Sequence, residues 1–234
     1  MSENNQSTDE SQISQADFNA IIMSVIHDVK NSLVMSLNTL DKLEPDIPES
    51  KKNEISDIQY ELMRTNQSLV RLLSLYKMQN KAFSLSRDQY NVYDFLEELI
   101  LTSKSVQSNT NINFTIDCDE YLDWYFDLEL ITNVINSIIN NTLRYAKESI
   151  ILSAEIKDGF LLIIIEDDGA GYPEEIIKQA KSIKDGIDYN MSSTGLGLFF
   201  SEKIAAMHKQ GDKIGYTSIE NNSSGGARFC IALP

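Results

Sequence analysis

Two long helical periodicities separated by prolines constrain this chain more than any other feature. Phe18, Ile22, Val25, Val29, Leu33, Leu37 and Leu40 recur every three or four residues. Pro45 and Pro48 interrupt the pattern, and Ile55, Ile58, Leu62, Thr65, Leu69, Leu72 and Tyr76 then resume it. Apolar residues at this spacing line one face of an α-helix. Proline removes a backbone donor and pushes the residue before it out of the helical region. The second run alternates threes and fours, a heptad seam with one polar position. The pattern predicts a helical hairpin whose apolar stripe lacks a partner, and a second copy supplies one by closing a four-helix bundle.

From about residue 83 the pattern changes. Strand-like runs (112–116, 149–156, 160–165 and 229–233) alternate with helical ones (92–105, 128–145 and 198–208). That alternation predicts an α/β sandwich with helices over one face of a sheet. The fold class is therefore α+β: residues 1–13 form a polar, disordered tail, 14–82 the hairpin and 83–234 the sandwich.

Charge excludes several functions. The 234 residues hold 20 Lys+Arg against 35 Asp+Glu, a net charge of -15. Such a chain repels nucleic acid and anionic lipid, since both are bound largely by basic side chains. Its longest apolar runs, such as Phe160–Ile165, fall far short of the ~18 residues of a spanning helix. The opening MSENNQSTDE has no signal-peptide character. The expected location is cytoplasmic, without membrane insertion. Cys118 and Cys230 lie far apart without metal-ligand spacing and are expected to be reduced, buried thiols.

Three segments carry residues suited to chemistry. On the first helix His27 points away from the Val25–Val29 seam, with Asp28 beside it and Lys30 and Asn31 on its face. A carboxylate next to an imidazole can orient it and accept a proton, which makes a ring nitrogen a better nucleophile. In the second segment, the strand Phe160–Glu166 runs into Asp167-Asp-Gly-Ala-Gly171. Glycines there let backbone approach a ligand, and a carboxylate held at the strand end accepts from an amine. Further on, Ser193-Thr-Gly-Leu-Gly-Leu198 opens a helix whose N-terminus suits phosphate. Residues 172–193 between the glycine segments show no strand pattern and are expected to form a mobile lid. In the third segment, Asp127–Ala146, Asn140 and Asn141 occupy a helix interior that disfavours asparagine. Asn141 is thus a candidate metal or phosphate ligand, with Arg144 and Tyr145 one turn on.

These elements, in this order over about residues 17–234, resemble the histidine protein kinases of two-component signalling. His27-Asp-Val-Lys-Asn-Ser-Leu33 is similar to the family's phosphoacceptor box, and Asn141-Thr-Leu-Arg-Tyr-Ala146 to its asparagine box. Asp167-Asp-Gly-Ala-Gly171 and Thr194-Gly-Leu-Gly-Leu198 resemble its two glycine boxes, and Gly225-Gly-Ala-Arg-Phe229 its closing hairpin. The resemblance implies that His27 accepts the γ-phosphoryl group of ATP, with Asp28 as base or orienting acid. It implies that Asn31 positions water for dephosphorylating a partner, and that Asn141 holds Mg2+. Arg144 and Tyr145 would contact the nucleotide and Asp167 the adenine amine. Gly169, Gly171, Thr194, Gly195, Leu196 and Gly197 would shape pocket and lid. Ser137, Ser32 and Ser193 depart from the family pattern at the first asparagine, the proline after the phosphoacceptor and the first glycine of the second box.

The reading is a homodimeric, cytosolic autokinase that passes phosphate to an aspartate of a response-regulator receiver domain and also acts as its phosphatase. Fewer than twenty residues precede the hairpin, so a separate sensor or input protein is expected. The alternatives are a non-enzymatic phosphotransfer scaffold with a decayed ATP domain, and an ATPase of the same fold that does not phosphorylate itself.

Overall fold

The computed structural model describes residues 15–43, 47–79, 85–106, 112–184, 193–223 and 225–234. The tail 1–13, Pro45 and the junction near Lys81 lie outside the described residues. The chain divides into two compact units, Met1–Gln79 and Asn80–Pro234.

The first unit holds α1 (Gln15–Leu43) and α2 (Lys52–Gln79), which pack on each other, with a 3-10 turn at Glu49–Lys51 before α2. On α1 the sheltered residues are Ile22, Ile26, Leu33, Leu37 and Leu40, and Ile26 is buried although the sequence stripe omits it. Val25 and Val29, expected in that stripe, stand with Ile21 on an exposed strip, Val25 at 52% exposure. The reason is geometric. Residues three or four apart over a helix this long span more than one side, so a single stripe resolves into two faces. On α2 the heptad seam splits the same way: Ile55, Leu62 and Leu69 are half-buried, whereas Ile58, Thr65 and Leu72 are exposed.

The second unit is built on a five-stranded sheet of order β2-β4-β5-β9-β8. Its strands are β2 (Asn113–Cys118), β4 (Ser149–Lys157), β5 (Phe160–Asp167), β8 (Tyr216–Asn221) and β9 (Ala227–Leu233). β2 runs parallel to β4, and every other pair is antiparallel. Two short ribbons flank it: β1 (Arg87–Asn91) with β3 (Asp123–Asp127), and β6 (Lys209–Gln210) with β7 (Lys213–Ile214). Helices α3 (Val92–Val106), α4 (Leu128–Tyr145) and α6 (Ser193–Met207) pack against the sheet. Period-two alternation fixes which side they cover: Ile150, Leu152 and Ala154 of β4 are buried while Ile151 and Glu155 are exposed. Phe126, Ile131, Ile135, Leu161, Ile163, Phe200 and Phe229 are fully enclosed between the layers. Each such side chain contributes roughly 1.5–3 kcal/mol relative to exposure.

Caps set the limits of α4. The Asp127 carboxylate accepts from Leu130 N–H at 3.1 Å, and the chain leaves the helix at Ala146 in an extended conformation. The chain's second histidine anchors the same point. His208 is 1% exposed, its Nε2 accepts from Asp127 N–H at 3.1 Å, and Nδ1 donates to the Ile204 carbonyl at 2.9 Å. Both nitrogens are used only by the neutral ring, so His208 joins the end of α6 to the start of α4 as an uncharged imidazole. Burial pushes its pKa below the ordinary histidine value.

Two expectations need correcting. The first half of the predicted lid is a helix, α5 (Glu174–Lys184), with Ile176, Ile177 and Ala180 half-buried on one side, and residues 185–192 lie outside the described set. Seven of its eleven residues are Glu, Lys, Gln or Ser, which hid the helical period. Cys230 is a buried free thiol as expected, but Cys118 is only half-buried, because it closes the edge strand β2. Among the described residues, no helix is long and apolar enough to cross a membrane.

Candidate functional site

The sheet delivers its most apolar strand, β5, to a pair of carboxylates that the structure uses differently. Asp168 caps a loop: its oxygens accept from Lys147, Glu148 and Ser149 N–H at 2.8–3.2 Å, tying α4 to β4. Desolvation opposes ionisation there, yet these amide bonds prevail and bring the carboxyl down to about 2. Asp167 is buried, and its Oδ1 accepts from Gly169 N–H at 2.7 Å and Ala227 N–H at 3.2 Å. Among the described residues its Oδ2 has no hydrogen-bond partner. An unpartnered acceptor-only oxygen on a largely buried side chain at a strand end is suited to a ligand amine.

Glycine is required around Asp167 by crowding. A Cβ at Gly169 would run into the Tyr145 carbonyl, and one at Gly226 into the carbonyl of Asp167 itself. Gly171 adopts φ +78°, and a Cβ there would crowd Asn221 Oδ1 and the Gly225 carbonyl. The strand end is thus wedged between the C-terminal turn of α4 and the β8–β9 turn. Asn222 Nδ2 donates to the Asp167 carbonyl at 3.0 Å. Asn221 grips Tyr172 on both sides, accepting from its N–H at 2.6 Å and donating to its carbonyl at 3.1 Å. Burial, then the charge of Asp167, pushes the Tyr172 phenol above its ordinary range.

Helix α4 brings Asn141, Arg144 and Tyr145 to this end of the unit as exposed side chains, while Ser137 is turned into the core. Thr194, Gly195 and Leu196 lie in the first turn of α6, and Gly197 is buried there, its carbonyl accepting from Ser201 Oγ at 2.9 Å. A cleft of about 240 Å3 lined by Ser149, Ile151, Glu166, Asp167, Asp168, Asn222 and Ser223 borders the site, and Asn141 does not line it. No group of three or more His, Cys, Asp or Glu side chains among the described residues is placed to hold a metal ion.

In the helical unit His27 is exposed on α1, and so are Val25 and Val29, the seam it was expected to face away from. Its Nδ1 lies 3.5 Å from Asp28 Oδ1 and 3.2 Å from Asn31 Nδ2, leaving Nε2 open. Lys30, expected on the same face, is half-buried instead, one position round the helix toward the sheltered side.

Residues 126–234 match the family described as histidine kinase-, DNA gyrase B-, and HSP90-like ATPase. Histidine kinase P4 of Formosa agariphila is 24% identical over 224 residues, 90% of this chain, and sensor protein SrrB of Staphylococcus aureus is 22% identical over 193 residues, 80% of it. The chain is similar to this family over slightly less than half of its length, and to histidine kinases over most of it. It spans 16% and 32% of the lengths of those two relatives. The fold agrees. Histidine kinase AdeS of Acinetobacter baumannii superposes over 87% of this chain and 95% of its own, with a TM-score of 0.58 at 19% identity. Full-length ShkA, solved with AMPPNP, covers 92% of this chain and 46% of its own, with a TM-score of 0.64 at 15% identity. The matched segment starts within β3 and takes in α4 through β9, so Asn141, Asp167 and both glycine segments fall inside it, while His27 falls outside.

The sequence singled out Asp167 and its glycines as candidates but gave no role to Asp168, Asn221, Asn222 or His208. The tandem Asp167-Asp168 hinted at divided roles. The run Asn221-Asn-Ser-Ser-Gly-Gly226 announced a turn, though nothing in it pointed to residue 167.

Proposed function

We propose that this chain phosphorylates itself on His27 with ATP and then donates the phosphoryl group to an aspartate of a response-regulator receiver domain. The division of Asp167 from Asp168 carries the nucleotide half of this reading. One carboxylate is consumed by backbone amides, and its neighbour keeps one oxygen available for the adenine amine.

The residues fit the nucleotide. Adenine presents an exocyclic donor that an acceptor-only carboxylate recognises, and Gly169 and Gly171 remove the side chains that would fill the approach. Arg144 and Tyr145, exposed beside Gly169, contact phosphate and ribose, and Thr194–Gly197 at the α6 N-terminus face the phosphates. Asn141 is a lone amide ligand, which suits Mg2+, an ion that keeps several waters and shares its shell with substrate phosphates. Bound Mg2+ neutralises charge developing on the phosphoryl oxygens.

At His27 the bookkeeping is direct. With its Nδ1 proton directed to Asp28, Nε2 holds a lone pair. The Nε2–phosphorus bond forms as the bond from the γ-phosphorus to the bridging oxygen breaks, and ADP departs with that electron pair. The excess proton leaves through Nδ1 toward Asp28. Asn31, one turn on, positions water when the same surface dephosphorylates the receiver. The exposed strips Ile21, Val25, Val29 and Ile58, Leu72 support a homodimeric four-helix bundle built from residues 14–82, with 83–234 as the catalytic ATP-binding domain. Cytoplasmic location belongs to the same reading.

Incubation with γ-labelled ATP and Mg2+ tests it. Acid-labile label should appear on the wild type and vanish in His27→Gln, while nucleotide binding persists. Asp167→Asn should weaken ADP binding about ten- to hundredfold, since a mispaired buried polar contact costs roughly 1–3 kcal/mol. Label retained on His27→Gln, or ADP affinity unchanged in Asp167→Asn, overturns the reading.

A further inference from the structure

The β8–β9 turn does more than reverse the chain. Asn222 closes it from within: its Oδ1 accepts from Gly226 N–H at 2.9 Å, and its own N–H donates to the Gly226 carbonyl at 2.8 Å. Its remaining amide group, Nδ2, leaves the turn and donates to the Asp167 carbonyl at 3.0 Å. The next residue in the closed turn, Ala227, donates its N–H to Asp167 Oδ1 at 3.2 Å. One side chain therefore fixes both the main chain of Asp167 and, through Gly226, the amide that clamps one of its carboxylate oxygens.

We infer that Asn222 is a positioning residue for nucleobase selection, acting on the adenine through Asp167. The inference rests on the proposed reading of Asp167 as the adenine acceptor. The free oxygen of Asp167 favours a base edge that donates over one that accepts. Guanine offers a carbonyl oxygen where adenine offers its amine. That preference holds only while Oδ2 is aimed, and its aim is set by the bonds holding Oδ1 and the carbonyl. Gly226 reports how close the fit is, since no side chain can be placed there without meeting the Asp167 carbonyl.

Asn222 can be dissected because its two amide atoms do different work. Asn222→Asp retains an oxygen for Gly226 N–H but has no hydrogen to give the Asp167 carbonyl. Asn222→Ser is uncharged and still closes a turn through its hydroxyl, yet is too short to reach Asp167. Both are tested in the full chain, with ADP and GDP as probes in equilibrium binding, alongside Asp167→Asn.

The expected result is about a tenfold loss of ADP affinity in both Asn222 variants, with GDP affinity unchanged, so that discrimination narrows by the same factor. In the labelled-ATP reaction KM for ATP should rise while kcat at saturation is retained. A purely structural role predicts something else: ADP and GDP binding lost in proportion, or kcat falling with the folded fraction. If Asp167→Asn abolishes discrimination while both Asn222 variants keep the wild-type ADP/GDP ratio, Asn222 does not position Asp167 and the inference falls. If Asp167→Asn itself leaves the ratio unchanged, the adenine assignment falls first. Should Asn222→Asp be unstable, the uncharged Asn222→Ser decides by the same ratio. Proportional loss of both nucleotides in that variant counts against the inference.

Discussion

Asn31 Nδ2 lies 3.2 Å from His27 Nδ1, the ring nitrogen that also faces Asp28. A neutral imidazole cannot donate a proton to Asp28 from that nitrogen and accept one there from an amide. Removing the Asn31 amide therefore leaves Nδ1 to the carboxylate and Nε2 free. Asn31→Ala should retain label incorporation from ATP and slow dephosphorylation of the receiver partner by at least tenfold, each tenfold being about 1.4 kcal/mol of barrier. A gel with labelled ATP and a dephosphorylation time course separate the two steps. Loss of autophosphorylation with dephosphorylation spared would reverse the assignment of roles.

The outward strip of the hairpin predicts its own test. Ile58 and Leu72 are each 48% exposed and lie two heptads apart on α2. Ile58→Glu with Leu72→Glu in the full chain should shift sedimentation from dimer to monomer at micromolar concentration while the helical signal persists. A dimer that survives both charges places the interface elsewhere.

Asp168 should make the second unit sensitive to strong acid. Its carboxyl titrates near 2 when folded, against about 3.9 in an unfolded chain. The folded state therefore binds fewer protons between those values. The contribution is complete above about pH 4 and is lost as pH falls toward 2. Asp168→Asn should lower the melting temperature at pH 7 by about 2–6 °C and flatten the acid limb between pH 4 and 2. An unchanged acid limb would mean that the amide cap contributes nothing.

His208 acts in a milder range. Its folded pKa lies below the ordinary value because burial disfavours the cation, with Arg87 opposing protonation and Asp127 favouring it. A depressed pKa means that stability is full above about pH 6.5 and declines as pH falls below it. The urea midpoint of the wild type should drop between pH 7 and 5, and His208→Gln should lose most of that slope. Equal slopes in the two proteins would place the titration on another group.

What was legible in the sequence depended on range. Helix α4 was readable to the residue, because Leu130, Val134 and Ile138 repeat locally. Strand β5 was equally plain as an unbroken apolar run. β1 and β3 were not, since the first is polar and the second is only five residues long, three consecutive aromatics between two acids. α5 hid its apolar residues among charges. At the site, Asp167 announced itself through glycines a few positions away. The partners that aim it, Asn222 and Ala227, lie 55 and 60 residues further along the chain. No periodicity encodes such a meeting, which arises only when β9 pairs with β5.

Strand β9 lies between β5 and β8 in the sheet, although it follows both in the chain. A ribosome delivers β5 sixty residues before Ala227, the residue whose amide clamps it. Until β9 arrives, Phe160–Asp167 presents an open apolar edge of the kind that invites pairing between chains. Synthesis thus leaves an interval in which the unit is rich in helix and sheet yet exposed to aggregation. Conditions that slow translation between residues 167 and 227 should lower the yield of soluble protein without altering the molecules that complete the sheet.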